Sequence, residues 1–491
     1  MHAVGPDDHE SRCPACPLVV DLDGTLTQTD TLIESIVGAI KRRPLNLLLM
    51  PWWLAQGRSV LKSAVATQVT LATDRLPYCE PLIEYLRYEK QRGRRLVLAT
   101  AAHETIAESV SAHLGLFEQV IATDVHTNQK GAVKLATIRQ RIGGDFAYAG
   151  DSWSDIPIWM AANGAVLVGV SSSLKKAVSA SVPVEREFPK QQANILDWLN
   201  ALRVHQWLKN LLLFVPILTA FSFTDGHLLG AMAAAFLAFS LAASATYVTN
   251  DLFDLDNDRA HPRKRLRPFA CARIAIRDGL LVAAAALLMA ALLAWAVSPS
   301  FLMILLLYLV ITCGYSLVLK RYVLIDVITL SLLYTLRILA GSVAAGILTS
   351  SWLLAFSLFT FLSLALVKRC SELVSLDRDG RQAARGRDYR VADLVVLWPL
   401  GVGAALCGVV VFGLFATASE TQSRYATPDL LWLVAIGMVY WLGRLWLKTS
   451  RGEMHDDPIV YAIKDRGSRI TVFAVVCAMC AARFLDLGSL S

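Results

Sequence analysis

Two acidic clusters in this 491-residue chain have the residue types and spacing to do chemistry. The first lies in LVVDLDGTLTQTD, residues 18–30, where Asp21 ends a short apolar run and Asp23 follows just before a glycine turn. A carboxylate in the first position can attack phosphorus, and one in the second can protonate the leaving oxygen. The second is NDLFDLDND, residues 250–258, which closes a long apolar run and is followed at once by RAHPRKRLRPFA. On a continuous helix Asp251, Asp254 and Asp258 fall at i, i+3 and i+7 and share one face, with Asn250 at its edge and Asp256 pointing elsewhere. Carboxylates this close repel unless a cation sits between them. Such hard oxygen ligands suit Mg²⁺, typically held by one or two carboxylates plus substrate phosphates. Arg263, Lys264, Arg265 and Arg267 are then placed to face those phosphates. A solvated loop with ordinary positive charges accounts for the basic residues but not for the acidic face. An EF-hand does not fit, because the loop lacks the glycine and the terminal glutamate.

The elements that must position these clusters are of two kinds. The chain is 55% hydrophobic and 18% charged, beyond the usual soluble composition. The excess begins near residue 206. We therefore expect an N-terminal tail at 1–17, an α/β domain at 18–190, a linker at 191–202 and an all-α membrane domain at 203–491. Nine apolar runs of spanning length are expected, at roughly 207–224, 228–250, 279–297, 300–319, 323–346, 351–370, 393–416, 428–447 and 469–487. Lys and Arg concentrate in the loops 259–277, 320–321, 368–390 and 448–469, whereas the opposite loops hold only Arg424. That asymmetry puts the first 200 or so residues and both acidic clusters on the cytosolic side, with the C-terminus outside. The start, MHAVGPDDHESRCPACP, reads as no secretory signal. The nine cysteines fit a reducing compartment, and Cys13-x-x-Cys16 has no second pair at zinc spacing. Cys477 and Cys480 read as packing residues inside an apolar run. The net charge of +7 sits in membrane loops, so it does not argue for nucleic acid.

Within the first half, RLVLATAA at 95–102 reads as a strand ending in Thr100, and GDFAYAGDSWSDIPIW at 144–159 as a strand ending in GDSxxD. Polar groups at strand ends belong at the carboxyl edge of a parallel sheet, where α/β folds place their sites. The ordered set resembles haloacid-dehalogenase-type phosphatases. The resemblance implies a Rossmann-like fold with Asp21 as nucleophile, Asp23 as general acid–base and Thr100 on phosphate. It also implies a catalytic lysine, Lys134 in QKGAVK or else Lys130, and Mg²⁺ held among Asp21, Asp23, Asp151 and Asp155. Residues 31–80 resemble a small helical cap and contain KRRPLNLLLMPWWLAQGR. This stretch is too short to span a bilayer; its basic flanks and paired Trp read as an interfacial segment, or else as a buried cap core.

In the second half, NDLFDLDNDRAHPRKRLRP resembles the first aspartate-rich signature, NDxxDxxxD, of the UbiA-type intramembrane prenyltransferases, over about 203–491. The resemblance implies a diphosphate substrate held through Mg²⁺, with Asn250, Asp251, Asp254 and Asp258 at the metal and Asp251 and Asp254 catalytic. Most such proteins carry a second aspartate-rich loop after span 6. Here that loop reads VKRCSELVSLDRDGRQAARGRDYR, with Glu372, Asp377 and Asp379 among many arginines. One aspartate cluster plus arginines suits more than one phosphorylated substrate. RVHQWLKNLLLFVPIL at 203–218 and KRCSEL at 368–373 resemble one branch, the decaprenyl-phosphate phosphoribosyltransferases. That branch moves phosphoribosyl from phosphoribosyl diphosphate to a polyprenyl phosphate.

Further substrate-binding candidates are Lys209 and Asn210, Arg337 in the apolar run LSLLYTLRILAG, and Lys368, Arg369 and Glu372. A charge such as Arg337 is costly within a membrane segment and usually functional. Tyr389 joins them, as do Asp457, Tyr461, Asp465 and Arg466 in or beside DDPIVYAIKDRGS, a stretch resembling a C-terminal motif of the same branch. The whole reads as a bifunctional enzyme of the cytoplasmic membrane. Its expected cofactor is Mg²⁺, and its partners are the bilayer, a polyprenyl phosphate and phosphoribosyl diphosphate, with a homo-oligomer left open. Aromatic prenyl transfer is the alternative; a transporter or lipid-binding protein with a regulatory phosphatase is a third reading.

Overall fold

The computed structural model describes residues 16–124, 129–190, 192–222, 225–383, 387–454 and 458–486. The chain forms two compact units. One comprises Met1–Leu202 and Tyr247–Ala283, the other Arg203–Thr246 and Ala284–Ser491. The first unit thus takes in the NDLFDLDND segment, which the sequence division groups with the helical half.

In the first unit six strands form one parallel sheet: β1 Leu18–Val20, β2 Leu96–His103, β3 Gln119–Thr123, β4 Ala147–Gly150, β5 Gly164–Val168 and β6 Val184–Phe188. The order is β3-β2-β1-β4-β5-β6. This is the α/β architecture expected from the sequence. The central strands β1, β4 and β5 are short, fully buried apolar runs because helices cover both sheet faces, whereas the edge strand β6 reads VEREF with its charges exposed. Leu18, Val20, Leu98 and Ala149 fill one layer with Leu82 and Leu86; Val19, Val97 and Tyr148 fill the other with Trp159. Val20 pairs with both Leu98 and Ala149, so the residues that follow β1 and β4 emerge side by side at the carboxyl edge. β2 continues three residues past Thr100, to His103.

Three helices follow β1: α1 Thr31–Arg42, α2 Asn46–Gln56 and α3 Arg58–Ala66. Asp30 starts α1, its carboxylate accepting from the Leu32 and Ile33 N–H groups. Ala39, Leu61, Val65 and Val69 form a small core here, joined by Met50 and Trp53 of α2.

Eight helices among the described residues are long and apolar enough to cross a membrane. The first of the nine expected spans, 207–224, is not one of them. Its described part is a 3-10 segment, Val204–Phe214, followed by the short helix Val215–Thr219. Tertiary packing accounts for its burial: Leu213 O lies so close to Gly341 that a Cβ there would meet it at 2.0 Å. Elsewhere in this unit polar groups tie apolar helices together: Ser363 Oγ donates to Gly401 O at 2.9 Å and accepts from Trp446 Nε1 at 3.0 Å.

Candidate active sites

The carboxyl edge of the sheet gathers the first acidic set. Asp21, Asp151 and Asp155 each offer a carboxylate oxygen within 4.8 Å of the others. Lys134 Nζ, buried, donates to Asp21 Oδ2 at 2.7 Å, which identifies the lysine facing the carboxylates. It also donates to Tyr148 Oη at 2.9 Å. Tyr148 Oη in turn lies 3.2 Å from both Asp21 Oδ2 and Asp155 Oδ1. Gly24 turns the chain at φ +78°, and a Cβ there would meet Asp151 Oδ2 at 2.2 Å. The DxDGT turn therefore needs glycine for both backbone angle and space.

Burial pushes Asp151 up to about 7, helped by the charges of Asp21 and Asp155. Asp155 is raised by the same two causes, burial and then Asp21. Crowded carboxylates that resist ionisation are the arrangement a hard divalent cation relieves, so this donor set fits Mg²⁺. Asp23 stands apart from the three. Its Oδ1 accepts from Thr31 N at 2.8 Å, and burial, then the Asp30 charge, lifts it to about 7. A carboxyl protonated near neutrality can give a proton to a leaving oxygen.

A cavity of about 370 Å³ opens over these groups, lined by Asp21, Asp23, Lys62, Lys130, Lys134 and Asp151 among others. Lys62, from α3, donates to Ala101 O at 2.6 Å, and burial lowers its pKa. Thr100 is placed differently from expectation. It is wholly buried, its hydroxyl accepts the Ala102 N–H at 3.0 Å, and Ala101, Ala102 and His103 line the cavity in its stead. The three strand residues after it carry the chain past the threonine before it reaches the edge.

The second acidic set also departs from expectation. The helix Gly226–Phe253 stops one residue before Asp254, which takes φ −105° and ψ 15°, and winding resumes at Leu255–Arg259. Helical backbone bonding nonetheless carries on through Asp254, from Asp254 N to Asn250 O at 3.0 Å and from Asp258 N to Asp254 O at 2.8 Å, and what divides the three aspartates is their partners. Asp251 Oδ1 and Asp258 Oδ2 converge on Arg267 Nη1, at 3.1 and 2.7 Å. Asp254 Oδ1 pairs with Lys41 Nζ of α1 at 3.2 Å. Asn250 is half-buried, Asp256 exposed, and Lys264 and Arg265 are exposed beside the cluster.

In the second unit Arg337 has a protein partner for every nitrogen. Nε donates to Asn210 Oδ1 at 2.9 Å, Nη1 to Leu333 O at 2.8 Å and Nη2 to Tyr308 Oη at 2.9 Å. Asn210 is held by Ser240 Oγ at 3.0 Å. The guanidinium also lies 5.3 Å from the Tyr334 ring, above which Lys209 Nζ stands at 5.8 Å. A second cluster centres on buried Arg369. It pairs with buried Asp326 and reaches Glu372 at 2.6 Å, and Arg387 lies 3.8 Å from Glu372. Lys368 beside it is half-buried. Tyr389 Oη accepts the Leu324 N–H at 3.1 Å and so fixes the start of the helix Ile325–Ala345. Asp465 caps the helix Arg466–Phe484 through Ser468 N at 2.7 Å, pairs with Arg444 at 3.0 Å and accepts from Tyr461 Oη at 3.3 Å. Arg466 is exposed. Asp457 and Cys13 lie outside the described residues.

Residues 213–464, about half of the chain, match the UbiA prenyltransferase family. The chain belongs to that family. Residues 18–159 match the haloacid dehalogenase-like hydrolases. Uncharacterized protein y4nM of Sinorhizobium fredii is 39% identical over 459 residues, covering 92% of this UbiA-family chain and 88% of that protein. Nodulation protein NoeC of Azorhizobium caulinodans is 33% identical over 284 residues, 58% of this chain and 92% of NoeC. The decaprenyl-phosphate phosphoribosyltransferase of Mycolicibacterium smegmatis is 29% identical over 299 residues, 59% of this chain and 92% of that enzyme.

Sequence reasoning passed over four polar residues of this UbiA-family protein. Tyr148 reads as a core strand residue, and only its hydroxyl distances reveal its place among the carboxylates. Asp326 was findable, as an acid inside the apolar run VLIDVITL. Glu34 and Lys41 sit in an ordinary amphipathic helix, and no local pattern marks their distant partners.

Proposed function

We propose that this chain is a bifunctional membrane enzyme that moves a 5-phosphoribosyl group from phosphoribosyl diphosphate to a polyprenyl phosphate and then removes the sugar 5-phosphate. The likeness to the mycobacterial phosphoribosyltransferase over nearly its full length is the observation that carries the transferase half. The convergence of Asp251 and Asp258 on one cationic group supports it, since these carboxylates are then arranged around positive charge. Asp251, Asp254 and Asp258, with Asn250, would hold Mg²⁺, and Lys264, Arg265 and Arg267 would meet the diphosphate. The ion would neutralise charge on the departing diphosphate. A lipid phosphate oxygen attacks the anomeric carbon, and the bond from that carbon to diphosphate breaks with its electron pair on diphosphate. The phosphate nucleophile is already ionised, so no strong base is needed. The end of the helix Ser351–Arg378 and the loop after it speak against a prenyl diphosphate donor, because Glu372, Asp377 and Asp379 are scattered among many arginines in place of a second aspartate-rich motif.

For the phosphatase half, Asp21 Oδ attacks phosphorus, and Asp23 gives its proton to the sugar oxygen as the P–O bond breaks. Water then attacks the aspartyl-phosphate, Asp23 takes that water's proton, and orthophosphate leaves. Lys134 and Tyr148 hold the Asp21 carboxylate in place, and Mg²⁺ among Asp21, Asp151 and Asp155 would offset the phosphate charge. Tethering the two activities raises the effective concentration of the second site for the first site's product. We place both on the cytosolic face of the inner membrane, following the Lys and Arg asymmetry. The test is to supply purified protein with Mg²⁺, polyprenyl phosphate and phosphoribosyl diphosphate and to follow diphosphate release. Release that does not require the lipid phosphate would contradict the transferase reading.

A further inference from the structure

The strongest unexplained surface is α2, Asn46–Gln56. Met50 and Trp53 pack inward on Ala39, Leu61, Val65 and Val69. The Asn46 side chain is anchored to Ala39 O at 2.9 Å and Gln68 Oε1 at 2.7 Å. That leaves the other side of the helix outward and apolar. Leu45 is 73% exposed, Leu48 74%, and Trp52 66%, with Leu47 and Leu54 more than half exposed. A patch of this kind on a soluble surface marks a binding face.

What covers it follows from where α1 is held. Lys41, in the last turn of α1, donates to the backbone oxygen of Phe253 and pairs with Asp254. Phe253 is the final residue of the helix Gly226–Phe253, which is long and apolar enough to cross a membrane. α2 therefore begins only a few residues after a side chain bonded to the end of a spanning helix. Lys41 and Arg42 at the end of α1 and Arg43 just after it, all exposed, immediately precede α2. An eleven-residue apolar helix with outward Trp and a basic flank has the composition of an interfacial helix, its side chains in the acyl boundary and its cations among the headgroups.

We infer that α2 lies in the bilayer interface, with Leu45, Leu48 and Trp52 among lipid acyl chains and Arg42 and Arg43 at anionic headgroups. This docking holds whatever the substrate of either site. Leu54, on the same exposed helix, also lines the cavity above Asp21, so the lipid boundary reaches that cavity's rim.

The test uses full-length protein in phosphatidylcholine–phosphatidylglycerol vesicles carrying a radiolabelled acyl chain. The photoreactive p-benzoylphenylalanine replaces, one at a time, Leu48, Trp52, the membrane-helix residue Val410 and the exposed sheet-domain residue Lys176. Irradiation should attach lipid at positions 48 and 52 as strongly as at 410, and severalfold above 176. Labelling at 48 and 52 no higher than at 176 overturns the proposal. So does attachment of a second protein chain at 48 and 52 in place of lipid.

Discussion

Glu34 takes Arg259 with both oxygens: Oε1 lies 2.6 Å from Nη2 and Oε2 lies 3.0 Å from Nη1, with both side chains almost wholly buried. The pair fastens α1, whose first turn borders the Asp21 cavity, to the short helix that follows Asp254. With Lys41 on Asp254, it makes the surroundings of the two acidic clusters one packed structure within the first unit.

Breaking that pair should be costly. Glu34→Ala leaves a buried guanidinium uncompensated, a loss of about 3–5 kcal/mol. It should appear as a lower unfolding temperature of the purified protein. The double variant Glu34→Met with Arg259→Met should recover most of the loss. A Glu34→Ala protein that melts like wild type would show that the pair contributes little.

Tyr148 should matter for metal use more than for folding. Its hydroxyl contacts Asp21, Asp155 and Lys134, so Tyr148→Phe removes an outer partner of the proposed Mg²⁺ ligands. Such losses typically cost about 10–100-fold in metal affinity or activity. Phosphatase rate titrated with Mg²⁺ should show a higher half-saturating concentration, and chelation should abolish activity in both proteins. An unchanged Mg²⁺ curve would remove Tyr148 from the site's support.

Asp23 sets a pH dependence. Burial and then Asp30 raise it to about 7, so the proton needed by the leaving oxygen is present below that pH and lost above it. Aspartyl-phosphate formation, measured in a single turnover, should fall as pH rises through about 7. Asp30→Asn removes one raising charge and should shift that fall to lower pH. A fall that stays in place would remove Asp30 as a cause and leave burial and the Asp21 charge.

Much of this arrangement could be read from the chain. Short apolar runs ending in Asp21 and Asp151 announce a parallel sheet, because strands buried on both faces need no alternation. The motifs then bring Asp21, Asp151 and Asp155 together, as found. The local distortion at Asp254 was not legible: FDLDND holds no Pro or Gly, and its spacing suits an undistorted helix. What distinguishes Asp254 is Lys41, 213 residues away in sequence. The same holds for Arg337, whose partner Asn210 is 127 residues distant. The 3-10 winding of Val204–Phe214, at the start of the expected span 207–224, was not legible either, because its close packing on Gly341 is a tertiary fact.

Arg337 and Asn210 yield a further prediction. Arg337→Met removes three hydrogen bonds at once and leaves Asn210 without its guanidinium partner. Transfer activity should fall sharply, whereas Arg337→Lys should recover little, since a point charge cannot reproduce three fixed donors. Full activity in Arg337→Met would dismiss the cluster as incidental.

The central claim is best tested by mass spectrometry of lipid products from purified protein given Mg²⁺, phosphoribosyl diphosphate and polyprenyl phosphate. Wild type should yield a lipid-linked pentose without its 5-phosphate, Asp21→Asn the same lipid with the phosphate retained, and Asp251→Ala neither. Absence of any lipid-linked pentose from the wild-type protein, or an unchanged product from Asp251→Ala, would contradict the account.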